Sequence, residues 1–308
     1  MLTVTVAIVT FRRPAYVERN LDCLAAQTRP PDQVIVVDAS EDDETELILA
    51  HRPGVTYYRN LEGAGNTASS RNVALDASEG DVIAFLDDDA FPREKYLEQL
   101  LAFCEAQPEA ALGCCRTLNG IPGESDDHDT PIGRFGRPGV MTGNFAADVA
   151  DPVRIDHGIG ATMWIRHGLA ERLGGVRELF HGTCFREETD LYVRAAALKA
   201  QAWYVPDAVA DHVAAPHPKG QRFDTRYLYW SVHNDVVLFL ANFGVWSPQF
   251  RGLLGTVARP PRGGSPAGRA MRWFVRVFAF VRGLAFSLRR LGFGPRDAIG
   301  RYVRRGRG

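Results

Sequence analysis

Lysine is nearly absent from this chain: 3 Lys stand against 33 Arg in 308 residues, a bias of genomic composition rather than of mechanism. Cysteine is scarce as well. The five present (Cys23, Cys104, Cys114, Cys115 and Cys184) are odd in number and form no C-x-x-C pair. That pattern excludes a disulfide framework and a zinc ribbon and indicates a reducing compartment. The opening MLTVTVAIVTF lacks the basic start and small-residue cleavage site of a secretion signal. No run of about 18 residues is free of charge, which excludes a conventional spanning helix. Nor does a G-x-G-x-x-G turn follow the first apolar run. Thr10-Phe11-Arg12-Arg13-Pro14 stands there instead, which argues against a dinucleotide-dependent dehydrogenase.

What remains is ordinary for a globular protein, with 45% hydrophobic and 24% charged residues. The length suits one large domain or two fused halves, and a chain of this size buries enough apolar surface to need no staple. Charge is unevenly placed. Residues 249–308 hold 14 Arg, no Lys and one acid, for +13; against the total of -1 this leaves -14 on residues 1–248. An acidic body with a basic tail implies an anionic partner for the tail alone.

The first 118 residues alternate apolar strand-like runs with helical patterns. Strands are predicted at Val4–Thr10, Gln33–Val37, Val55–Tyr58 and Asp81–Leu86. Helices are predicted from Pro14, over Asp42–Ala50, and over Thr67–Ala77 after a turn carrying Gly63 and Gly65. Continuous apolar strands alternating with helices read as a mostly parallel sheet covered on both faces. Residues 119–152 are rich in Gly, Pro and Asp, and a loop of that length in a compact domain is functional or disordered. Beyond it lie a strand at Ala161–Ile165, a helix at Glu187–Lys199, a strand at Ala202–Val205 and a helix at Arg226–Phe243. A linker (RPPRGGSPAG, 259–268) precedes a helical pattern over 269–292. The chain thus divides into 1–118, 119–248 and a tail, 249–308.

Asp87-Asp88-Asp89 follow the fourth apolar strand directly. Three consecutive carboxylates at a buried strand end are costly unless a cation or ordered donors neutralise them. The carboxyl ends of parallel strands are where open α/β sheets place ligands, and hard oxygen donors suit Mg²⁺ or Mn²⁺ held with phosphates. The alternative is a solvated turn capping a helix at Pro92. Asp38 is a second acid at a strand end, placed either to meet a nucleotide or simply to end the strand.

In their order, VAIVTFRRP, QVIVVDAS and SSRNVALDASEGDVIAFLDDDAFP resemble the family 2 glycosyltransferases of the GT-A fold. The resemblance continues in DHGIGATMWIRHGLAERLGGVRELF and FREETDLYVRAAALKAQAWYVPDAVADH, and covers about residues 3–245. It implies a Rossmann-like, mostly parallel α/β sheet and a metal-dependent, inverting transfer of sugar from a nucleotide-diphosphate sugar to an acceptor hydroxyl. By resemblance, Asp38 contacts the nucleoside, and Asp87 and Asp89 occupy the D-x-D positions that bind ribose and the metal-bridged diphosphate, with Asp88 between them. Arg71 organises the nucleotide pocket, and Thr10 and Arg12 border it. Where the family commonly has Glu-Asp-x-Asp-Leu, this chain has Glu187-Glu188-Thr189-Asp190-Leu191. Glu188 therefore falls at the general base as Glu rather than Asp, and Asp190 is the second candidate. Acids in a first helical turn also favour the helix dipole without any catalytic role. His212 ends the resemblance where a His near the metal or diphosphate is expected. The implied cofactor is Mg²⁺ or Mn²⁺ and the implied donor a UDP- or dTDP-sugar rather than a GDP-sugar. The acceptor would be lipid-linked or a polysaccharide, in envelope polymer, glycolipid or other glycoconjugate synthesis.

In the tail, at ~100° per residue, Arg272, Arg276, Arg282, Arg289 and Arg290 fall within an arc of about 140°. Trp273, Phe274, Val277, Phe280, Val281, Leu284, Leu288 and Leu291 group opposite. Such a helix suits an anionic membrane surface, or it packs on the protein's own body. No nucleic-acid reader motif accompanies the arginines. The expected location is the cytoplasm, with a peripheral position on the cytoplasmic membrane face. Two other classes compete with the transferase: a nucleotide-binding regulator without turnover, and a metal-dependent phosphohydrolase. Donor hydrolysis separates the first, and phosphate release from simple esters the second.

Overall fold

The computed structural model describes residues 1–64, 66–136, 139–213 and 224–290. Gly65 and the end of the predicted tail helix, 291–292, lie outside the described residues. The first half runs β1 (Val4–Thr10), α1 (Pro14–Ala25), β2 (Gln33–Asp38), α2 (Glu44–Leu49), β3 (Val55–Arg59), α3 (Thr67–Ala77) and β4 (Val82–Asp87). Every residue of β1 is buried, as a strand covered on both faces requires. Its side chains alternate between two cores: Ala7 and Val9 face one, and Val4, Val6 and Ile8 the other. Pro14 opens α1 at the first helical position, where its missing N–H costs nothing.

The chain continues with β5 (Ala90–Pro92), α4 (Tyr96–Ala106), β6 (Ala110–Leu118), β7 (Val153–Arg154), β8 (Met163–Arg166), α5 (His167–Leu173), α6 (Glu187–Ala197) and β9 (Gln201–His212). Three helices follow, α7 (Thr225–Asn242), α8 (Pro248–Ala258) and α9 (Pro266–Arg290). The described strands form one sheet in the order β3-β2-β1-β4-β8-β6-β9-β5, with β7 beside β9. β3, β2, β1 and β4 are parallel, as expected. β8 enters antiparallel to both β4 and β6, so the second half of the sheet is mixed.

Three features differ from expectation. No helix starts at Pro92; Ala90–Pro92 pairs as β5 with the end of β9, and α4 begins at Tyr96. β9 does not stop at Val205. Cys115 of β6 faces Val205 and the next residue, Arg116, faces Val209, so Pro206, Asp207 and Ala208 bulge and the strand bends onward to His212. Helix α8 was not foreseen, and it joins α7 and α9 around a third apolar cluster that includes Val236, Phe239, Phe250, Leu253 and Ala279. Cys114 and Cys115 are fully buried in the sheet. Among the described residues no helix is long and apolar enough to cross a membrane.

Trp164 on β8 has no exposed surface and meets Phe103 edge-on at 5.9 Å, whereas Trp246 is 86% exposed. Trp164→Ala is expected to cost about 3–5 kcal/mol. Trp246→Ala should stay within about 0.5 kcal/mol of wild type. Denaturant unfolding of both variants checks the contrast.

Candidate functional site

The parallel register sets the site. Thr10 pairs with Asp38 across β1 and β2, and Val9 with Asp87 across β1 and β4. Thr10, Asp38 and Asp87 therefore share the carboxyl edge of the sheet at its switch point. The bend of β9 then returns His212 to this edge, because Ala90 of β5 pairs with His212.

Asp38 is fully buried. Its Oδ1 accepts from the Ser40 amide (2.9 Å) and hydroxyl (2.5 Å), while its buried Oδ2 has no protein partner. A buried carboxylate oxygen without a protein donor is costly.

The three consecutive aspartates divide. Asp88 turns inward: Oδ2 accepts from the Thr10 hydroxyl at 2.7 Å and Oδ1 from Arg13 Nη1 at 2.8 Å. Burial pushes its carboxyl up to about 7, against the pull of Arg13 and with the push of Asp89. Both Asp88 oxygens are thus engaged by protein, Oδ2 by Thr10 and Oδ1 by Arg13. Asp87 and Asp89 converge with His212, their ligand atoms all within 4.8 Å of one another. His212 Nε2 lies 3.3 Å from Asp89 Oδ1, and its Nδ1 is 3.0 Å from Asn119 Oδ1. The Asn119 amide nitrogen faces Glu124 at 3.3 Å, which turns its oxygen to the imidazole. Nδ1 then donates to the Asn119 oxygen, and Nε2 faces the carboxylates. His212 and Asn119 also line a pocket of about 590 Å³ with Glu124 and Asp126.

Arg12 meets the Asp38 side of the site through its backbone alone, its N–H donating to the Ser40 hydroxyl at 2.7 Å. Its φ of 56° turns its half-exposed side chain outward to Glu41 at 2.6 Å. Its neighbour Arg13 takes the inward place, reaching Asp88 and, at 3.3 Å, Asp89. Asn20, also not foreseen, holds the turn by donating from Nδ2 to the carbonyls of Asp87 (3.2 Å) and Ala90 (2.9 Å).

Arg71 is 2% exposed and bridges the halves of the site. Nη2 donates to Asp87 Oδ1 (3.3 Å) and the Gly160 carbonyl (3.1 Å), and Nη1 lies 2.9 Å from Glu187 Oε1. The Glu187 contact is an ion pair rather than a hydrogen bond, since the Nη1 proton is poorly aimed at the oxygen. A Cβ at Gly160 would lie 2.9 Å from Nη2, so a larger residue would push the guanidinium from its place. Burial alone would lower the Arg71 pKa, but Glu187, Asp87 and Glu188 outweigh it and keep the guanidinium charged. Burial pushes the Glu187 carboxyl up to about 8, more than Arg71 pulls it down, with Glu188 and Asp87 adding repulsion.

Glu188 is half-buried, and its carboxyl is raised chiefly by burial, offset in part by its own backbone N–H, Arg71 and Arg186. Asp190 is different in kind. Fully buried, it accepts from Arg194 Nε (2.8 Å), Arg177 Nη1 (3.2 Å) and Asn242 Nδ2 (2.8 Å). Arg194 goes on to the carbonyls of Leu173 and Gly175, so Asp190 ties α6 to the end of α5 and to α7. With both oxygens committed, it is a structural acid and not the second base candidate.

Comparison with known proteins follows this geometry. The family model described as glycosyl transferase family 2 matches residues 5–174. The galactofuranosyltransferase GlfT1 of Mycobacterium tuberculosis is 39% identical over 110 residues, 33% of this chain and 36% of that enzyme. The match thus spans about a third of that relative's length. GalNAc-T7, solved with UDP, GalNAc and Mn²⁺, superimposes with a TM-score of 0.64 at 15% identity, covering 96% of this chain and 59% of that one. A mannosyltransferase from Pyrobaculum calidifontis, solved with GDP-Man and Mn²⁺, gives 0.54 at 18% identity over 96% of this chain and 77% of that one. These likenesses establish the GT-A architecture.

Glu187 generates a pH dependence. Its folded pKa of about 8 lies above the ordinary Glu value of 4.5. The folded chain therefore holds a proton that the unfolded chain releases in this window. Its contribution to stability is complete below about pH 4.5 and is lost as pH rises through about 8. Glu187→Gln should flatten that decline. Thermal melts at about pH 5 and about pH 8.5, in EDTA, check it, and equal slopes in both proteins would refute it.

Proposed function

Because the chain belongs to glycosyl transferase family 2, we propose that it is a metal-dependent glycosyltransferase that moves a sugar from a nucleotide-diphosphate sugar to an acceptor hydroxyl with inversion. The observation that carries this reading is the convergence of Asp87, Asp89 and His212 on the sheet edge that holds the unpartnered Asp38 oxygen. Two carboxylates and one imidazole, with Nδ1 anchored by Asn119, fit a hard divalent cation, and the nitrogen donor favours Mn²⁺ over Mg²⁺. When bound, that cation supplies Lewis-acid neutralisation of the leaving diphosphate.

The chain's own residues do the rest. Asp38 Oδ2 accepts a hydrogen bond from the nucleoside of a UDP- or dTDP-sugar. Asp88 and Thr10 do not touch the donor; with Arg13 they fix the turn that aims Asp87 and Asp89. Arg71 holds Asp87 and the Glu187-Glu188 turn in one arrangement. Glu188 is the general base. It takes the acceptor proton as the hydroxyl attacks the anomeric carbon from the face opposite the diphosphate, so a single displacement inverts that centre. Burial raises its carboxyl above the usual Glu range, which makes it a stronger proton acceptor than an exposed carboxylate. Asn119, Glu124 and Asp126 in the pocket beside His212 offer acceptors to a hydroxyl-rich polysaccharide or lipid-linked acceptor.

Titration calorimetry with UDP, dTDP and GDP, each with Mn²⁺ and then EDTA, tests the donor half. One diphosphate should bind in a metal-dependent way, and Asp89→Ala should abolish that binding. A folded protein that binds none of the three would end this reading. Glu188→Gln should keep diphosphate binding while lowering turnover by about 10²–10⁴-fold. Asp190→Asn should instead be seen first as lost stability, by about 3–5 kcal/mol, because two buried arginines lose their partner.

A further inference from the structure

Helix α9 presents two different faces. Ala279, Gly283 and Ser287 recur at every fourth position and are fully buried. Gly283 brings the helix against α7 so closely that a Cβ would lie 2.9 Å from the His233 carbonyl and 3.0 Å from Val236. Val277, Phe280, Leu284 and Phe286 flank this contact and pack on the cluster shared with α7 and α8. The body therefore takes Val277, Phe280 and Leu284 out of the apolar arc read from the sequence.

The other face is left in solvent. Met271, Phe274, Phe278 and Val281 are 60%, 66%, 52% and 54% exposed. Their spacing of 3, 4 and 3 residues aligns them in one stripe about 15 Å long. Exposed Arg282 and Arg289 continue the stripe toward the C-terminus, and exposed Arg259 and Arg262 precede the helix. Residues 236–290 contain nine Arg and not one Asp or Glu. A row of large apolar side chains set in a purely cationic segment demands a partner that is apolar and anionic at once. A second copy docked by the same face would bring like charges together, and a nucleic acid would leave the Phe and Met side chains without apolar contact.

We propose that α9 is a monotopic attachment face, with Met271, Phe274, Phe278 and Val281 entering the acyl boundary of an anionic lipid bilayer and Arg282 and Arg289 meeting its headgroups. The helix lies on the bilayer and does not span it. Attachment also orients the site. The Phe278 ring lies 6.0 Å from Tyr229 on α7, and Asp235 of the same helix pairs with Arg186, the residue before Glu187. If the transferase reading holds, attachment fixes how the base segment is oriented toward the bilayer that would carry a lipid-linked acceptor; the attachment itself does not depend on that reading.

Flotation of the full chain with phosphatidylcholine vesicles, with and without phosphatidylglycerol, tests the proposal. The wild type should float with the anionic vesicles only. The double variants Phe274→Ser/Phe278→Ser and Arg282→Glu/Arg289→Glu should each lower recovery by about tenfold or more. All four positions are exposed, so both variants should melt as the wild type does. Wild type that stays behind with both vesicle types overturns the proposal. So does a wild-type dimer, by light scattering, that Phe274→Ser/Phe278→Ser dissociates, because the stripe would then be a self-association surface. Diphosphate binding measured on the same samples lets the attachment and the donor site fail separately.

Discussion

Mutual repulsion among Asp87, Asp88, Asp89, Glu187 and Glu188 is the constraint around which the rest of the molecule is arranged. Two unit charges 4 Å apart near a protein surface repel by about 4 kcal/mol, and burial raises the figure. Two guanidinia absorb this. Arg13 lies against Asp88 and Asp89, and Arg71 joins Asp87 to Glu187. The residual strain is visible in the carboxyls of Asp88 and Glu187, which burial lifts to about 7 and about 8. Carboxylates held under such repulsion attract a divalent cation, while burial, with a smaller push from Asp87, keeps Glu188 basic.

The sheet serves this edge. Parallel strands β1, β2 and β4 bring Thr10, Asp38 and Asp87 into line, but they cannot supply a ligand from the far end of the chain. β9 does so by running parallel to β6, bulging at Pro206–Ala208, and ending beside β5. The antiparallel insertion of β8 between β4 and β6 places the Gly160 turn against Arg71. The mixed second half is what closes the site over the parallel first half.

The parallel half was legible in the sequence because its strands are uninterrupted apolar runs ending in acids. Thr67–Ala77 is helical at the predicted bounds, and Asp38 and Asp87 stand at the expected strand ends. The length of β9 was hidden by Pro206, which reads as a terminator and turns out to sit in a bulge. Helix α8 was hidden by its Gly and Arg content. At the site, residue type and position foretold the acids but not their partners. Arg12 and Arg13 are adjacent and chemically identical, and only a positive φ at Arg12 decides which one faces inward. Asn20 and Asn119 act through tertiary contacts that leave no local pattern. Asp190 did leave one: its spacing to Arg194 is that of an i,i+4 ion pair, a sign of structural use.

Helix α7 joins the two ends of the molecule's chemistry. On one side Asp235 holds Arg186 and Asn242 holds Asp190, fixing the turn and helix that carry Glu188. On the other side its backbone at His233 seats Gly283 of α9. The projection of α9 onto a helical wheel separated Arg from apolar residues but could not say which sector the body would occupy. The small residues Ala279, Gly283 and Ser287 decide it, because only they allow two helix backbones to approach so closely. For the same reason, cutting away the tail is a poor probe of its surface. Removing α9 would uncover Val236 and its neighbours in the third core, and with them the helix that positions the base. The stripe of Met271, Phe274, Phe278 and Val281 lies outside that core except where the Phe278 ring meets Tyr229, so changing what it touches leaves the buried helix contact in place.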